Sequence, residues 1–105
     1  AWGNELSTGG VAAGVEYAGH SVTSPGYEAY LPGAGPQALA GAMRQANPGL
    51  VFTDVSRRGY VSLDVTPDQV RGTWHFMSTI AQRTTAGTDS TTLAVKWGER
   101  RFAKA

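Results

Sequence analysis

The chain has no cysteine, so a disulfide framework and a thiolate metal site are both excluded among these residues, although compartment stays open. Its longest apolar runs fall far short of a bilayer span. It also lacks a charge bias: nine Lys and Arg against eight Asp and Glu leave +1. That is too near neutrality for a sequence-independent grip on phosphate backbones, which argues against a nucleic-acid partner. There is no initiator methionine and no charged targeting segment ahead of Trp2. A signal or pro-segment removed beforehand would leave no trace, so localisation is not legible here. What is present is a composition of 41% hydrophobic and 16% charged residues with 14 glycines in 105 positions. Such a chain is globular and rich in turns, and it fits one small domain or one piece of a larger one.

Along the first 35 residues glycine, alanine and small hydroxyl residues dominate, with one strand-like island over Val11 to Val22 in which Val15 and Tyr17 alternate with Glu16. Ser21 to Pro36 reads as a long packed loop, because Pro25-Gly26 and Pro32-Gly33 are turn dipeptides. Pro36 suits a first helical turn, and Leu39, Ala40, Met43 and Ala46 recur at helical spacing until Asn47-Pro48-Gly49, so the spacing predicts a helix over 36–46. The second half reads as β structure. Val51, Thr53 and Val55 share one side of a short strand. Val61, Leu63 and Val65 line one face of the next, a Thr66-Pro67-Asp68 turn follows, and Val70, Trp74 and Phe76 share a face of the return strand opposite Arg71, Thr73, His75 and Met77. This is an antiparallel hairpin with one buried face. Thr84 to Thr91 is polar and reads as a loop, and Leu93, Val95 and Trp97 alternate in a last strand before the basic tail. No internal repeat or composition break marks a second domain.

Chemistry is sparse on this pattern. Hydrolytic metal sites need several oxygen and nitrogen ligands converging on a cation, yet the two histidines, His20 and His75, form no HxH or HExxH pair. His75 reads as a surface or second-layer residue on the face away from Trp74 and Phe76. His20, beside Ser21, Thr23 and Ser24, holds a better position for function, against the commoner reading of a structural turn. No GxSxG elbow supports a nucleophile there. "GGVAAG" has neither dinucleotide nor P-loop spacing. Arg57-Arg58 reads either as an anion contact or, more commonly, as a solvated edge that discourages strand addition. Trp74, Phe76 and Trp97 read as core rather than as a ligand cage. Composition, periodicity and spacing therefore give an α+β chain, predominantly antiparallel β with one short helix.

The order of segments carries more. "VEYAGHSVTSPGYE" (15–28), "NPGLVFTDVSRRGYVSLDVTPDQVRGTWHFMSTI" (47–80) and "TTLAVKWGERRF" (91–102) together resemble the C-terminal segment of the alkaline phosphatase D, or PhoD-like, family. Its members are metal-dependent phosphomonoesterases and phosphodiesterases, and some are phospholipases D. The resemblance implies that residues 1–105 form the C-terminal segment of a larger catalytic domain and contribute outer strands to a two-sheet α/β sandwich of the metallophosphoesterase type. It implies hydrolysis of phosphate esters by a metal-activated hydroxide, with iron and calcium or other divalent metals as cofactors. In the family a Gly-Asp-X-His motif supplying a metal ligand stands just before a segment resembling "AWGNEL", so Ala1 is expected to lie close to that ligand, and the other ligands are expected upstream. Hence no catalytic residue and no metal ligand is assigned within this segment.

Trp2 and Asn4 are expected either as pocket walls, Trp2 by packing against a substrate group and Asn4 by hydrogen-bonding an oxygen, or as residues that brace the turn. His20 replaces the small residue expected at that place in the family turn and is expected to tune substrate choice. The implied partners are the N-terminal catalytic portion of the same enzyme, possibly as a separate chain after cleavage, and a phosphate-ester substrate. Membrane lipid enters only as a phospholipase D substrate, and no lipid-facing helix is legible. The family implies secretion or a bacterial periplasmic location. Alone, the segment is expected to be inactive, with Val61, Leu63, Val65, Trp74 and Trp97 leaving an apolar patch where a partner is absent. The other reading is a self-standing, non-catalytic β-rich binding or structural module.

Overall fold

The computed structural model describes residues 1–26 and 35–103. The described residues form strands β1 (Trp2–Thr8) and β2 (Val11–Ala18), helix α1 (Pro36–Ala46), and strands β3 (Leu50–Thr53), β4 (Gly59–Val65), β5 (Gln69–Met77) and β6 (Gly87–Lys96). They make two three-stranded antiparallel sheets, ordered β2-β1-β3 and β4-β5-β6. No described helix is long and apolar enough to cross a membrane. The predominantly antiparallel α+β reading therefore stands, with one short helix.

The first sheet departs from expectation because its opening strand carries few apolar residues. "WGNELST" has no clean alternation, yet Gly9 and Gly10, at φ of 58° and 83°, supply the two left-handed positions of a tight hairpin turn. Thr8 thus pairs with Val11 and Trp2 with Ala18. On its other edge β1 takes β3, with Trp2 opposite Thr53. Val55 lies beyond the end of β3.

The helix occupies the predicted span, with Pro36 in the first turn, where a missing N–H costs nothing. It ends where the Asn47 N–H and its side-chain amide both donate to Met43 O. Leu39, Ala40 and Met43 are at least partly buried, and α1 packs near β3. Ala46 is exposed. The Pro32-Gly33 turn falls outside the described residues.

The β4–β5 hairpin forms in the register its pattern predicts, Val61 opposite Trp74 and Leu63 opposite Gly72. Its turn is closed by the Thr66 hydroxyl, which accepts the N–H groups of Asp68 and Gln69. β6 starts earlier than expected, because Gly87 to Thr91, read as loop, pair with β5. Polarity misled there: Thr92 faces Thr73 across the ladder and their hydroxyls hydrogen-bond at 2.9 Å.

The sheets pack through one face each. Tyr17 and Phe52 of the first sheet lie on Trp74 of the second, with ring centroids 5.6 and 5.0 Å away, and Phe102 meets Tyr17 edge-on. Trp74 and Phe76 are 0% exposed. Polar atoms bridge the layers: the Trp74 indole donates to Ala18 O at 2.8 Å, and the Tyr17 hydroxyl lies 3.2 Å from Val70 O and 3.1 Å from Leu93 O. Gly72 makes the approach possible, since a Cβ there would run into the Tyr17 ring. Trp97 corrects the core reading. It is 86% exposed, because it lies past the end of β6 and nothing described covers it.

Candidate functional site

A concavity of about 240 Å³ opens where the start of β1, the end of β2 and the segment between β3 and β4 meet. Ala1, Trp2, His20, Ser21, Pro25, Gly26, Asp54, Val55 and Arg58 line it. Main-chain bonds hold its floor: Ala1 N donates to Asp54 O and Asp54 N to Ala1 O, each at 2.9 Å.

Trp2 lines this space at the start of β1, and its indole N–H donates to the Glu16 carboxylate of the neighbouring strand. His20 follows the end of β2. Its ring meets Phe76 edge-on at 5.3 Å, and both ring nitrogens are buried with no hydrogen-bond partner among the described residues. Burial, then the positive charges of the amino terminus, Arg58 and Arg57, hold its pKa below the ordinary 6.5, against the opposing pull of Asp54. The imidazole is therefore neutral at physiological pH and behaves as an aromatic wall.

Arg58 is the largest revision. It is 8% exposed, so it is no solvated edge. Its Nη1 donates to Ser21 Oγ and to Ser24 O, both at 2.9 Å, while Ser21 Oγ itself donates to Ser24 O at 2.7 Å. These contacts fasten the start of the 21–26 loop to β4, as does the Gly59 N–H donated to Ser21 O. Arg57 takes a different course. Its guanidinium lies 3.7 Å above the Phe76 ring centre and bridges Asp54 (2.7 Å) and Asp89 (2.6 Å). Burial would raise the Asp54 pKa, but the Arg57 and Ser56 N–H groups and the Arg57 guanidinium outweigh it and hold the carboxyl below its ordinary value.

Of the expected wall residues, Trp2 and His20 come together, 18 positions apart in sequence. Asn4 is outside the lining, with its side-chain oxygen beside Gly49. Arg58, Asp54 and Val55 join the site without having been singled out for it. The only signal for them was the Arg57-Arg58 pair, whose two members have separate roles. His75 bonds to Ser62 Oγ at 2.9 Å and stacks on Tyr60, a second-layer arrangement. Among the described residues no three His, Asp or Glu side chains converge as metal ligands, so these residues do not by themselves fit a metal centre.

A family model described as PhoD-like phosphatase matches residues 1–74, which include every residue of the concavity. No curated protein and no solved structure matches the chain.

Proposed function

Because the chain belongs to the PhoD-like phosphatase family, we propose that it works as the C-terminal part of a metal-dependent phosphoesterase, supplying sheet scaffold and one pocket wall. The family match over residues 1–74 carries this reading. The substrate is a phosphate ester, monoester or diester, with a phospholipase substrate as a special case. The metals, iron and calcium or other divalent ions, are held by the N-terminal catalytic portion. That portion is the partner of this chain, in an exported bacterial enzyme. Within it the two sheets described above become outer strands of the metallophosphoesterase sandwich.

Two features support the assignment of roles. Trp2 and His20, two of the three residues expected to face substrate, border one concavity, beside the Arg58 contacts to Ser21 and Ser24. At the opposite end of the second sheet Leu63, Val65 and Trp97 are exposed, an apolar surface suited to the remainder of the enzyme. The chain alone then lacks ligands for the metals and is inactive. Natively purified enzyme should hydrolyse bis-p-nitrophenyl phosphate, lose that activity to a chelator, and release an 11.0 kDa chain on denaturation if the precursor is nicked. Chelator-resistant hydrolysis, or full activity of the isolated chain, would sink the reading.

A further inference from the structure

β1 and β6 belong to different sheets, and the tail that follows β6 bridges them. Gly98, at φ of 80°, reverses the chain. Ala103 N then donates to Ala94 O at 2.7 Å, which fixes the tail beside β6. One residue earlier, Phe102 N donates to the Glu5 carboxylate at 2.8 Å. Glu5 is itself held in the first sheet, where its N–H is given to Gly49 O. The tail therefore has a hydrogen bond to each sheet.

Packing adds to this bridge. Phe102 is 8% exposed and meets the Tyr17 ring edge-on, with centroids 5.3 Å apart. It sits so close to β1 that a Cβ on Gly3 would come into contact with it, as well as with Leu93 and Trp74. The three residues before it, Glu99 to Arg101, are exposed. Arg101 comes only within 3.7 Å of Glu5 and keeps 60% of its side chain in water, a pairing worth little. The hold of the tail is thus concentrated in the Phe102 ring and the N–H groups of Phe102 and Ala103, and a segment held at so few points opens before a strand ladder does.

The two sheets differ in what would remain once the tail lets go. β5 is paired along most of its length on both sides, whereas β3 brings only four residues to β1. We propose that residues 98–103 form a releasable strap that seats the first sheet on the second. With Phe102 in place the layer contact is closed; with Phe102 withdrawn, β1 and β2 lift from Trp74 while the β4-β5-β6 ladders persist. Trp2 stands next to Gly3 on β1, so the strap also governs how firmly that wall of the concavity is held. Nothing in this depends on the phosphoesterase reading.

Hydrogen exchange in the isotope-labelled 105-residue chain, at low urea concentrations, tests it. The Trp74 indole N–H crosses between the sheets to Ala18 O, the Phe102 and Ala103 amides report the strap, and the β5 amides report the second sheet. The two strap amides and the Trp74 indole should exchange through one shared opening, with protection factors equal within about threefold, while the β5 amides are more than about tenfold better protected and depend more steeply on urea. Phe102→Leu, which keeps bulk but loses the edge-on ring, should lower the protection of all three strap and indole probes together by about threefold to tenfold. Glu5→Gln, which removes the charged acceptor of the Phe102 N–H, should lower the same three by about threefold. A Trp74 indole as protected as the β5 amides would mean that the layers separate only on global unfolding, and would overturn the proposal. Strap amides that exchange while the indole stays more than about tenfold better protected would overturn it too, as would variants that loosen the strap amides and leave Trp74 unchanged, since the tail would then fray without unseating the sheet.

Discussion

The inner face of the second sheet has two ends built from one pattern, and they meet opposite fates. At one end Trp74 and Phe76 are sealed, beneath Tyr17, Phe52 and His20 and beside Phe102. At the other, Leu63 is 54% and Val65 69% exposed on the same face. Alternation decides which way a side chain points, and a second layer decides whether it is buried. The first sheet covers one half of the face, and stability is concentrated there.

The largest break in this contrast is Trp74→Ala, which removes the ring at the centre of the layer contact and the indole bond to Ala18 O. It should cost about 3–5 kcal/mol, read as a lower midpoint in urea unfolding. Gly72→Ala comes next. The added methyl meets the Tyr17 ring, held between two carbonyls, so a loss of about 1–3 kcal/mol is expected, with altered near-ultraviolet circular dichroism. Val65→Ser, on the same face at the uncovered end, should change stability by no more than about 0.5 kcal/mol in the same titration. Comparable losses for Trp74→Ala and Val65→Ser would erase the distinction between the two ends.

A pH test sharpens it from the covered side. His20 has a folded pKa below 6.5, so below that pH the unfolded chain binds more protons than the folded one. Stability from keeping this ring neutral is full above pH 6.5 and is lost as pH falls through that value toward the folded pKa. Asp54, held below its ordinary 3.8, adds a separate loss at still lower pH. His20→Phe should flatten the unfolding profile just below pH 6.5 and leave the acid limb in place. An unchanged profile would mean that the imidazole is not sealed against Phe76.

Legibility in the sequence followed locality. The β4–β5 hairpin and α1 were readable because alternation, helical spacing and the Thr66-Pro67-Asp68 and Pro36 signals lie within each element. β1 was not, because its partners are β2 and the distant β3, and only Gly9-Gly10 hinted at a hairpin. The first part of β6 reads polar because it stands exposed at a sheet edge. Trp97 has the periodicity of a core residue but no layer over it among the described residues. In the site, Trp2 and His20 were accessible through the order of family-like segments. Arg58 was hidden because its acceptors, Ser21 and Ser24, come from a loop more than 30 residues earlier. An arginine that anchors such a loop has the same local sequence as one that faces water.

The most direct measurement is hydroxyl-radical footprinting of Trp74 and Trp97, read by peptide mass in the isolated chain and in the natively purified enzyme. Trp97 should be oxidised rapidly and Trp74 slowly in the isolated chain, and Trp97 should become protected severalfold in the enzyme, as the proposed docking of the rest of the phosphoesterase on the open end requires. Equal oxidation of Trp97 in both preparations, or Trp74 as reactive as Trp97, would contradict the account.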